Sequence, residues 1–175
     1  MDMGEWLGVT NRQALQFFFE HLKGVTDDDA PPASELLYNA SVLAHFASTS
    51  TSSPDAFPAS PASLVTVFDV YVLDRSQHLD PEIMEAAGAQ CLLLTGFFFD
   101  QQRRRHNVDW YAALGMAFYE RAARGRKDRE RARMMETMAR RFGFWRHQQH
   151  RLARELRDAP SLIVRPSSPA PPAVM

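Results

Sequence analysis

Ala86-Ala87-Gly88-Ala89-Gln90-Cys91-Leu92-Leu93-Leu94-Thr95-Gly96-Phe97-Phe98-Phe99 runs for 14 residues without a charged side chain. A helix that is apolar on every side belongs in the interior. The stretch therefore predicts the central, buried helix of an all-α bundle. It falls short of the roughly 20 residues needed to span a bilayer. Its start is legible in Asp80-Pro81-Glu82: a capping carboxylate, a proline at the first helical position and an acid in the first turn. Its end is expected near Arg103-Arg104-Arg105-His106, where cations suit a helix C-terminus. The predicted central helix is 81–103.

Upstream, Leu64, Val67, Phe68, Tyr71 and Val72 fall at helical spacing behind Ser63. The β-branched content of 64–73 would also suit a strand. No second strand candidate exists to pair with it, so helix is the expectation. A Ser/Thr/Pro-rich loop reaches from Ser48 to Ser63. Before it, Leu36, Ala40, Leu43 and Ala47 mark a helix over 35–48, capped by Ser34. Thr10 and Gln13 form a capping-box pattern that predicts a first helix over 11–23, with Leu15, Phe18 and Leu22 inward and Gly24 in the left-handed C-terminal position.

Downstream, Asn107 or Asp109 starts a fifth helix, with Trp110, Leu114, Ala117, Phe118 and Arg121 on one side. The last helix, about 128–157, has a seam of Met135, Met138, Phe142, Trp145, Gln149, Leu152 and Leu156 at alternating steps of three and four. The expected architecture is one domain of about six helices over 1–158, followed by a disordered Pro/Ser-rich tail over 159–175.

Composition bounds the class. A hydrophobic fraction of 45% and a charged fraction of 23% are ordinary globular values. Eight glycines are few for a nucleotide-binding α/β fold, which spends them on phosphate loops. Cys91 is the only cysteine, which excludes an intrachain disulfide and fits a reducing compartment. With an acidic start lacking a signal-peptide pattern, the expectation is a cytoplasmic protein with no membrane contact.

Charge is divided along the chain. Residues 1–100 hold three basic side chains against 14 acidic, a net of −11, and residues 101–175 hold 17 against seven, a net of +10. Either the halves neutralise each other or the basic half meets nucleic acid or an acidic partner. Arginine outnumbers lysine 18 to two, as a GC-rich genome supplies without selection for function.

Motifs for chemistry are scarce. Phosphate-loop, dinucleotide and serine-hydrolase glycine patterns are missing, as are Glu-x-x-His pairs and His-Glu-x-x-His. Cys91 sits in the greasiest stretch, where a thiol stays protonated and inert. His147 and His150, at i and i+3, are the weak candidates for metal ligands. A turn of about 100° per residue places both away from the seam, facing solvent with no third ligand evident. His21 and His45 have no partner legible in sequence, and Asp74 with His78 precedes Asp80-Pro81 too closely to share a helix. Gln90, Thr95, Asp100, Gln101 and Gln102, with Asp69, are polar groups on core helices that read as hydrogen-bonded struts.

No catalytic residue, cofactor or metal is assigned on this reading. The leading function is a non-enzymatic protein-interaction or regulatory module, with a protein partner or a homodimer. Nucleic-acid binding along the Arg124–Arg157 stretch ranks second, and a ligand- or metal-dependent enzyme third. Candidate partner or nucleic-acid contacts are Arg103, Arg104, Arg105, Arg126, Lys127, Arg129 and Arg133. Against nucleic acid, Asp128, Glu130, Glu136 and Glu155 interrupt the basic run.

Overall fold

A computed structural model of the chain describes residues 3–52 and 80–158. Among them are seven helices and no strand: α1 (Met3–Val25), α2 (Ala33–Ser52), α3 (Pro81–Thr95), α4 (Phe99–Gln102), α5 (Val108–Gly125), α6 (Arg129–Arg140) and α7 (Phe142–Asp158). The all-α bundle expected from sequence is what forms. The 64–73 segment and the 159–175 tail lie outside the described residues. No helix among the described residues is long and apolar enough to cross a membrane.

Local chemistry explains the helix starts. Asp80 accepts hydrogen bonds from the backbone N–H groups of Glu82 and Ile83 at 2.8 and 3.3 Å, with Pro81 at the first position. Asn107 caps α5 through the N–H of Trp110 at 3.2 Å, and Asp128 caps α6 through that of Glu130 at 2.9 Å. These caps satisfy donors that a helix N-terminus leaves without partners. The first helix departs from expectation. It begins at Met3, so Thr10 and Gln13 lie inside it and no capping box opens it. No proline upstream of Thr10 obstructs the helix. It also runs past Gly24, which does not take a positive φ. Thr26 ends it instead, its hydroxyl donating to the Leu22 carbonyl at 2.7 Å.

The interior is built on three helix pairs, α1 with α2, α3 with α5, and α5 with α6, and α7 packs across α1, α3, α5 and α6. Trp145, Tyr119, Phe118, Phe142, Leu92 and Met135 are essentially removed from solvent. Helix α3 is central, but it is not one rod from 81 to 103. It stops at Thr95 because the backbone of α7 lies against Gly96, where an added Cβ would stand 3.0 Å from the Arg146 carbonyl oxygen. Arg146 Nε donates to the Thr95 carbonyl at 2.9 Å, and the chain then turns into short α4. Nor is the stretch buried on all sides: Ala86 is exposed and Ala89 half-buried.

Two further expectations are corrected. The helix of 128–157 is two helices, divided at Arg141, whose guanidinium Nε reaches Glu35 at 2.7 Å. The seam survives the break, with Met135, Met138, Phe142, Trp145, Gln149 and Leu152 all buried. Helix α5 turns a different face inward from the one its large side chains suggest. Tyr111, Ala112, Gly115, Phe118, Tyr119 and Ala122 are buried, whereas Trp110 is 43% exposed. The cause is close approach: a Cβ on Gly115 would stand 2.6 Å from Phe142 Cζ and 2.8 Å from Cys91 Cβ.

Opposite outcomes are therefore expected for one chemical change at two glycines. Gly115→Ala should destabilise by about 1–3 kcal/mol through overpacking, despite the better helix propensity of alanine. Gly24→Ala meets nothing within 4 Å and should stabilise by about 0.4–1 kcal/mol. Denaturant melts of the two variants check both signs, and a loss at Gly24 would contradict its helical backbone.

Candidate functional site

Glu85 is the centre of the most elaborate polar cluster. It lies on the second turn of α3, one residue from fully buried Met84, and its side chain is 11% exposed. A carboxylate so placed needs counter-charge and donors to offset lost hydration. Arg126, at the end of α5, and Arg131, on α6, both donate to it through Nη2, and Arg131 Nε adds a third bond at 3.3 Å. Arg126 also lies 3.6 Å from Glu82. The Tyr38 hydroxyl, from α2, stands 3.3 Å from Glu85 Oε1 and 3.2 Å from the Tyr119 hydroxyl. With a single proton, Tyr38 donates to the carboxylate and accepts from Tyr119. Burial pushes the phenols of Tyr38 and Tyr119 well above the usual tyrosine range, and the Glu85 charge reinforces this. Both remain protonated donors at neutral pH.

Above this cluster opens a cleft of about 830 Å³, bounded by α1, α2, α3 and the α5–α6 junction. Its apolar lining comes from Leu15, Val42, Phe46, Ala89 and Leu93, and its polar lining includes Arg12, Tyr38, His45, Glu85 and Arg131. The volume lies within the range of small-molecule sites, about 300–1,000 Å³. The guanidinium of Arg131 also packs over the Tyr38 ring at 5.6 Å, fixing one charged fork at the mouth.

A second buried carboxylate holds the other end of the bundle. Glu35 accepts from Trp145 Nε1 at 2.8 Å and pairs with Arg141. Beside it, Gln149 donates to Asn39 at 3.2 Å, and Asn39 donates to the Glu35 carbonyl at 3.0 Å. These residues tie α2 to α7 and expose no reactive group.

The residues singled out in the sequence are distributed as follows. Arg126 is enclosed by Glu82 and Glu85, while Lys127, Arg129 and Arg133 stand exposed on the α5–α6 turn and α6 with no ion pair among the described residues. Arg103 lies 3.9 Å from Asp100, and Arg104 and Arg105 are exposed. His147 is exposed, but His150 does not face open solvent. Its ring rests against Phe99 at 4.8 Å, and its Nε2 is 3.4 Å from Asp100, because α4 covers that flank of α7. No group of three His, Cys, Asp or Glu side chains among the described residues could hold a metal ion. Cys91 is buried, and desolvation pushes its thiol far up, which suits packing. Thr95 donates to the Cys91 carbonyl at 2.7 Å. Gln90 lines the cleft, and Gln101 is exposed. Sequence reasoning missed Glu35, Glu85, Tyr38 and Tyr119. The available signal was acids within apolar helix segments of a chain rich in distant arginine.

Removing the Glu85 carboxylate should leave Arg126 partly buried with only the exposed Glu82 carboxylate, 3.6 Å away, to offset its charge. Glu85→Ala is expected to cost toward the lower end of about 3–5 kcal/mol. Glu120→Ala, from an exposed pair with Arg124, should cost no more than about 0.5 kcal/mol. Urea midpoints separate these values. For Asp100, burial pushes the carboxyl up, but the hydrogen bond from Arg157 and the charges of Arg157 and nearby His150 outweigh it and hold the group below its usual range. Its stabilisation is complete above the unfolded carboxylate range and is lost as pH falls through the lowered folded value. The stability gap between the wild-type chain and Asp100→Asn should accordingly stay level near neutrality and close below about pH 4, read by urea melts across pH. Set against family models, curated proteins and solved structures, the chain matches none, and its function is argued from this geometry.

Proposed function

We propose that the chain is a non-enzymatic interaction or regulatory module that works by binding in the cleft between α1, α2, α3 and the α5–α6 junction. The observation that carries this reading is the state of the charged groups at the cleft end. Glu85 is already neutralised by Arg126 and Arg131 and held by Tyr38. A carboxylate so engaged is a poor general base, whereas a general base needs a free acceptor near the proton it takes. What remains available is recognition. The apolar wall of Leu15, Val42, Phe46 and Leu93 can take the body of an amphipathic molecule, and Arg131, 46% exposed, can meet an anionic head beside Arg12. Helices from the acidic and the basic half of the sequence line this cleft, so an occupant would bias how they pack. That is the physical content of a regulatory role.

Nucleic-acid binding is the second reading, favoured by exposed Lys127, Arg129 and Arg133. It ranks lower because Asp128, Glu130 and Glu136 interleave with them on the same short segment.

Fluorescence titration with the amphipathic anion 1-anilinonaphthalene-8-sulfonate tests the leading proposal. The natively folded chain should show saturable enhancement. Val42→Trp, which fills the wall, and Arg131→Gln, which removes the exposed charge, should each weaken it severalfold while a cooperative melt is retained. Absence of probe uptake by the folded chain, or uptake indifferent to both substitutions, overturns the proposal.

A further inference from the structure

A second concavity, of about 430 Å³, lies at the junction of α4, the turn after it and α7. Its lining is charged throughout. Asp100 comes from α4, Arg103 and Arg104 from the following turn, and His150, Arg154 and Arg157 from α7. Spacings of four and three place the α7 residues along one helical face. Asp100 is the only acid in this lining. It accepts from Arg157 Nη2 at 3.1 Å and lies 3.4 Å from His150 Nε2 and 3.9 Å from Arg103 Nε. Arg104 and Arg154 are exposed and make no ion pair among the described residues.

One carboxylate thus faces four guanidiniums. Leaving the imidazole aside, the pocket carries a surplus of three positive charges. Like charges gathered around a concavity repel one another and raise the local concentration of anions. Among the described residues, the buried carboxylate clusters gather no such excess: Glu35 takes Arg141, and Glu85 with Glu82 takes Arg126 and Arg131. Two of the side chains beside Asp100 are held in place as well. Arg103 lies over the Phe99 ring at 5.9 Å, and the imidazole of His150 packs against the same ring at 4.8 Å. Guanidinium forks match the paired oxygens of phosphate groups. A single phosphate, carrying about two negative charges near neutrality, would leave part of the surplus uncompensated.

From this geometry we infer that the Asp100 pocket is a binding site for a diphosphate group, with Arg104 and Arg154 as its free forks. Asp100 has two opposed effects there. It holds Arg103, Arg157 and His150 in position, and it competes with the incoming anion for them. The site is separate from the amphipathic cleft, and the inference does not rest on that reading.

Isothermal titration of the full chain with sodium pyrophosphate at low salt is the test. Saturable binding is expected, weakened at least tenfold in the double variant Arg104→Gln/Arg154→Gln, whose exposed side chains the fold does not use. Asp100→Asn should bind pyrophosphate severalfold more tightly, because the competing carboxylate is gone. A merely structural pocket would not produce that gain. Parallel titrations with ADP and inorganic phosphate identify the source. ADP binding as tightly as pyrophosphate assigns the group to a nucleotide, and weaker ADP binding assigns it to the free anion. Either supports the site, provided inorganic phosphate binds more weakly. The inference is overturned if pyrophosphate gives no saturable binding to folded protein, if the double variant binds unchanged, or if Asp100→Asn binds more weakly. A duplex oligonucleotide bound in place of pyrophosphate would overturn it too, and would assign these arginines to a nucleic-acid backbone.

Discussion

Two carboxylates from the acidic half of the sequence, Glu35 and Glu85, enter the interior, and each brings arginine with it from the basic half. Glu35 takes Arg141, and Glu85 takes Arg126 and Arg131. Ionised groups leave water only against counter-charge and good hydrogen bonds. The pairing therefore constrains which helices can neighbour which. Glu85 and Arg126 are 41 residues apart in sequence, and Glu35 and Trp145 are 110 apart. Apolar surfaces alone would tolerate sliding of α2 against α7, or of α3 against α6. A slid arrangement would strand a charge in the core. The division of charge between the two halves is, in these contacts, a device for registering them. Its net stabilisation is small, since desolvation offsets much of the attraction, but it penalises the alternatives heavily.

Close packing supplies the second constraint. α3 and α5 meet through small residues, with Gly88 against Tyr119 and Gly115 against Cys91 and Phe142. This approach brings the Tyr119 hydroxyl within reach of Tyr38 and completes the cluster on Glu85. Buried charge and short interhelical distance depend on each other here. If α5 stood further off, the tyrosine would not reach, and the carboxylate would lose the pair of phenols that extends its network.

What could be read from the sequence divides along the same physical line. The helix start at Asp80 was legible, and that at Asn107 was narrowed to Asn107 or Asp109, because a cap is decided within three residues. The seam from Met135 to Leu152 was legible because burial follows hydrophobic period. The breaks at Gly96 and Arg141 were not, since each sits against a distant partner: the backbone at Arg146 in one case and Glu35 in the other. The inward face of α5 misled for a related reason. Hydropathy favours Trp110 and Leu114, whereas close approach favours Ala112 and Gly115. His150 followed from the break at Gly96, because only a chain that turns there can lay α4 over the flank of α7. Of the candidate sites, the arginine excess was visible in composition, but its convergence on Asp100 was not.

Two groups of arginines in the second half accordingly stand apart. Those satisfied by buried acids, Arg126, Arg131 and Arg141, define the packing and have little freedom to serve a ligand without loosening it; Arg131, half out of the core at the mouth of the cleft, is the exception. Those gathered on Asp100 exceed what one carboxylate neutralises. A fold that needed cations only for cohesion would have no use for that excess, and self-repulsion there works against stability. On the inference drawn above, that excess is the charge a bound diphosphate would neutralise.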